Sequence, residues 1–129
     1  MAKEFLAKDD MGAAQFGLTY KYYESQLTAI EEAIWFLHAR GIQARPEEQD
    51  DLIRLEAKLG RLQSKVEMEF DWFLSSEISV QPPKQSQLDE ISQLSEKVEK
   101  LTNQQRLAGA TLTLLNNVAE TASPLMKVA

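Results

Sequence analysis

The stretch from Gln87 to Ala122 constrains this chain more than any other. It holds no Gly before Gly109 and no Pro before Pro124. Its apolar positions step by three and four: Ile91, Leu94, Val98 and Leu101, then Gln105 and Ala108, then Leu112, Leu115, Ala119 and Ala122. A heptad sustained over that length marks a long helix packed on partner helices. Gln105 interrupts the apolar seam and reads as a structural polar layer that fixes register. A buried amide needs a hydrogen-bond partner, and only the matched alignment provides one.

Two more helices fit the same pattern. From Leu18 to Arg40, Tyr20, Tyr23, Leu27, Ile30, Ile34 and Leu37 repeat the three-four spacing, with Phe16 one step earlier and Gly41 placed to cap the end. Pro46 opens the next helix, where Glu47, Glu48, Asp50 and Asp51 set negative charge at the positive end of the helix dipole. Leu52, Leu55, Leu59, Leu62, Val66 and Phe73 form its seam, and Glu69 stands at one expected apolar position. The pattern fades after Leu74, and Pro82-Pro83 sets the outer limit, because a residue before proline leaves the α region.

The expected organisation is a single domain over 1–129. Residues 1–17 are an arm or short helix, 18–40 and 46–79 the first two helices, 80–85 a Pro-containing linker, 86–122 the third helix and 123–129 a tail. Ser86 with Asp89 three residues on resembles a capping box for the third helix. Short connectors make the helices antiparallel neighbours, so the expected fold class is all-α: an elongated up-down-up three-helix bundle with coiled-coil-like heptad packing. The N-terminal segment then reads as a short fourth helix or a helix extension. The first helix is the shortest, which leaves Phe70, Trp72, Phe73, Leu74 and Leu88 for residues 1–17 to cover or for another chain to use. If the second and third helices meet near Gln81, Gly60 falls level with Gln105, Ala108 and Gly109.

Chemistry has little to work with. The chain has no Cys and a single His, so thiolate chemistry is out and a metal site would rest on carboxylates; none is expected. No Gly-rich phosphate loop or nucleophile elbow is present, and the serines lack a neighbouring base. The expectation is therefore no enzyme, no cofactor and no small-molecule substrate. Net charge is −6, with five basic and nine acidic residues between 45 and 79. That balance argues against nucleic acid, and the short ridge of Arg54, Lys58, Arg61 and Lys65 reads as a solvated helix face. Charges at Lys3, Glu4, Lys8, Asp9 and Asp10 break any secretory apolar run, and no apolar stretch reaches the roughly 20 residues a membrane helix needs. A soluble, cytoplasmic protein without membrane contact is the expectation.

Partner binding is the better-supported reading. Within Leu107 to Ala119 charge disappears, and Leu107, Thr111, Leu114 and Val118 form a second flank beside the seam. A charge-free flank marks an interaction surface. The aromatic residues Phe70, Trp72 and Phe73 are the next candidates. The expected function is a non-enzymatic protein–protein interaction module, an adaptor, assembly component or small chaperone that self-associates through apolar helix faces. One alternative rests on His38-Ala39-Arg40-Gly41, which is similar to the His-x-x-Lys-Gly of histidine phosphotransfer domains, one residue short and at a helix end. That resemblance implies a regulatory signalling bundle with His38 as the phosphoryl acceptor.

Overall fold

The computed structural model describes residues 5–41, 46–101 and 115–118. It is all-α apart from one minimal sheet. β1 (Leu6–Ala7) leads through a 3-10 turn (Lys8–Asp10) into α1 (Ala13–Gly41), followed by α2 (Pro46–Leu74), β2 (Ser79–Val80) and α3 (Gln85–Leu101). A further helical stretch covers 115–118. Gln105, Leu107, Thr111 and Leu114 lie outside the described residues.

Helix α1 is the shared partner, packed along both α2 and α3. Its sequence explains why. Thr19, Gln26 and Ala33 are buried, as are Tyr22, Ala29 and Phe36, and Tyr23, Ile30 and Leu37. Each set repeats every seven residues, so three of the seven helix positions face inward, a stripe wide enough for two neighbours. The expected narrow stripe through Tyr20, Leu27 and Ile34 is displaced. Tyr20 lies at the edge of solvent, and Leu27 and Ile34 are only part-buried. Counting large apolar residues missed this because two of the three buried sets include small and polar residues, Thr19, Gln26, Ala29 and Ala33. By contrast, α2 buries a single seam: Leu52, Leu55, Leu59, Val66, Glu69 and Phe73. α3 buries Leu88, Ile91, Leu94 and Val98.

The element ends differ from the sequence reading in instructive ways. α1 starts at Ala13 rather than near Leu18, despite the cost of Gly12 and Gly17. Phe16 explains the extension: its ring stacks on Phe73 with centroids 6.0 Å apart and lies 6.1 Å from Tyr20. Tertiary contact outweighs local propensity here.

α2 stops at Leu74, five residues before the expected end. Ser76 takes a left-handed φ of 59°, the Ser76 amide bonds back to the Phe73 carbonyl, and the Glu77 amide reaches the Trp72 carbonyl. Those two bonds form a Schellman cap, with serine where glycine is usual. The linker beyond is ordered. Val80 is fully buried and Leu6 pairs with it across the antiparallel sheet. At the start of α3 the expected Ser86–Asp89 box is replaced by Lys84 and Gln87. The Gln87 side chain accepts the Lys84 amide at 2.7 Å, while Asp89 instead accepts from Gln85 Nε2.

Candidate interaction surface

The aromatic end of α2 is covered by this chain's own N-terminal half. Tyr23 stacks on Phe70 at 5.0 Å, Tyr20 meets Phe70 edge-on at 5.1 Å, and Phe73 is fully buried between Phe16 and Tyr23. Phe70 and Trp72 are part-buried. Below them the 3-10 turn is fastened to the helix end: Lys8 Nζ donates to the Leu74 carbonyl at 2.6 Å, and Ser76 Oγ donates to Asp9 at 3.0 Å. A cation on the last carbonyls of a helix meets both an unfilled acceptor and the negative end of the dipole. Residues 5–16 thus act as a clasp over the surface that the sequence left open to a partner.

Val118 also faces inward. It and Leu115 are fully buried in the main core. The heptad seam therefore includes Leu115, and the flank that begins at Leu107 carries at least this one core residue.

Two polar pairs lie between the helices. Glu69 is buried on α2, and burial, reinforced by the Glu69 carboxylate, pushes the Tyr23 phenol far above its ordinary range. Among the described residues Tyr23 Oη completes no hydrogen bond. Between α1 and α3, Ser95 Oγ donates to Glu32 at 3.4 Å. Desolvation and the nearby Glu99 charge raise the Glu32 carboxyl above the usual carboxylate range, against the lowering effect of the Ser95 bond.

His38 lies on the α1 surface with 67% of its side chain exposed, and its Nε2 is 2.7 Å from Glu56 Oε1 on α2. It stands three residues from the end of α1. Two shallow clefts are open to solvent. One, of about 290 Å³, is lined by Glu24, Ser25, Thr28, Ser92 and Ser95; the other, of about 280 Å³, by Asp51, Arg54, Leu55, Lys58 and Asn116. Among the described residues no group of three or more His, Asp or Glu is placed to hold a metal ion, and no helix is long and apolar enough to cross a membrane.

What the structure leaves exposed is a set of residues the heptad reading passed over. Trp35 on α1 is 61% exposed, and on α2 Ile53 and Met68 are 64% and 46% exposed. All three fall out of phase with the buried stripes, which is the signal that finds them: large apolar residues on the polar side of a helix. Comparison with known proteins adds no relative, since no family model, curated protein or solved structure matches the chain.

Proposed function

We propose that this protein is a non-enzymatic interaction module, an elongated up-down-up helical bundle that works as an adaptor, assembly component or small chaperone and associates with itself. The observation that carries this reading is the exposure of Trp35, Ile53 and Met68, which with Tyr20 are the large hydrophobic side chains left open among the described residues. Trp is among the residues that dominate binding energy at protein interfaces, and a solvent-exposed indole offers that area at small entropic cost. The flank beginning at Leu107, Thr111 and Leu114 belongs to the same proposal, as does a cytoplasmic location.

Light scattering after size exclusion tests it. A mass that grows with protein concentration, and falls in a Trp35→Ala, Ile53→Ser double variant that still melts cooperatively, supports the module. A wild type that stays monomeric and captures no protein from cells of its host overturns it. A phosphotransfer role for His38 has its exposure in favour, but its Glu56 partner sets a carboxylate where an incoming phosphoryl group would need cations. The interaction reading stands ahead of it.

A further inference from the structure

Gly60 lies in the interior of α2, where glycine weakens a helix by about 1 kcal/mol relative to alanine. Nothing among the described residues recovers that cost: a Cβ built on Gly60 meets no atom within 4 Å. At 100° per residue, Gly60 shares the side of α2 opposite the buried seam with Ile53, Ala57, Ser64 and Met68. Ile53 and Met68, each about two helical turns from Gly60 on either side, are the two large apolar residues α2 exposes. Charge is sorted about the same line. Arg54, Lys58, Arg61 and Lys65 flank one side, all exposed and without an ion pair among the described residues, while Glu56 and Gln63 flank the other.

We propose that a second copy of this chain docks here, its α2 crossing the first in parallel at Gly60. This deepens the interaction-module reading and rests on it. Orientation follows from the sorted charge. Two antiparallel helices crossing at Gly60 oppose like flanks, which sets Arg54 against Lys65 and Lys58 against Arg61 of the other copy. Two parallel helices oppose unlike flanks, and Glu56 of one copy meets Arg61 of the other five residues along, twice by symmetry. Glu56 has the capacity: His38 engages Oε1, and a carboxylate accepts from several directions through both oxygens. Ala57, Gly60 and Ser64 allow a close backbone approach at the crossing. Beyond Ser64 the face turns acidic at Glu67 and Asp71, so the helices diverge from Gly60. A short crossing of this kind buries less than a standard interface, and the dimer is a weak, concentration-dependent one.

Sedimentation equilibrium of the full chain over a wide concentration range tests the proposal. Wild type forms a dimer; Gly60→Gln, which adds a helix former in open space, keeps or raises the melting temperature and weakens the dimer at least about tenfold. Glu56→Arg and Arg61→Glu each weaken self-association alone, and mixing the two variants restores a heterodimer. Restoration supports parallel pairing; its absence overturns it. If Gly60→Gln dimerises like wild type, this face falls while self-association stands. If wild type is monomeric yet captures another protein that Gly60→Gln does not, the face belongs to a foreign helix and the second copy is ruled out.

Discussion

Tyr23 and Glu69 are two of the residues, with Thr19 and Gln26, at which this core departs from apolar packing. An unpaired buried hydroxyl costs about 1–3 kcal/mol, and the same ring without it keeps every aromatic contact Tyr23 makes to Phe70 and Phe73. Tyr23→Phe is therefore expected to leave stability unchanged or raise it by about 1 kcal/mol, measured by urea unfolding. Phe73→Ala, at the next position in the same cluster, should cost about 3–5 kcal/mol by the same measurement. Glu32 gives a pH test. Its carboxyl is raised in the folded state, so the folded chain binds the proton more tightly than the unfolded one. Stability from this group accordingly increases as pH falls through the raised value, and its ionised form opposes folding at neutral pH. Glu32→Gln should raise the melting temperature at about pH 7, with the gain vanishing below about pH 4, where both states are protonated.

The elements divide into those written in spacing and those written in contact. The seam of α2 from Leu52 to Phe73, with Glu69 in it, is legible because its buried residues follow one stripe at three-four spacing. Its true end was not. Ser75-Ser76 carries no glycine, and the left-handed turn at Ser76 is fixed by bonds to Asp9 and to the carbonyls of Trp72 and Phe73, which no local pattern records. Ser76→Gly relieves about 1 kcal/mol of strain at that φ but deletes the Oγ bond to Asp9, of similar size, so stability is expected to change by less than about 1 kcal/mol. Lys8→Met should lower it by about 1 kcal/mol by stripping the cation from the Leu74 carbonyl. Both are readable as shifts in thermal midpoint. The start of α1 stayed hidden for a related reason: Gly12 and Gly17 argue against helix, and only the stacking of Phe16 on Phe73 overrides them. Among the candidate partner residues, Val118 and Phe73 looked like a flank and an end, and both proved to be core. Val118→Glu is thus expected to unfold the protein rather than probe a surface, which circular dichroism would show at once.

At the scale of the whole molecule, the periodic third helix drew the sequence reading, but α1 holds the assembly together. Its inward face is three residues wide per heptad and mixes Tyr, Ala, Gln, Thr and Ile, so no single hydrophobic period stands out. Amide exchange should be slowest in the middle of α1, around Ala29 to Ala33, where buried positions are densest, and faster toward the helix ends. The three-position stripe of α1 also sets an order of events during synthesis. α1 leaves the ribosome first, yet one half of its apolar face has no cover until α3 has emerged, and β1 has no strand to pair with until Val80 is made. A nascent chain stalled before Gln85 carries Tyr22, Ala29 and Phe36 as open surface, and it is in that interval that this protein most needs protection from aggregation.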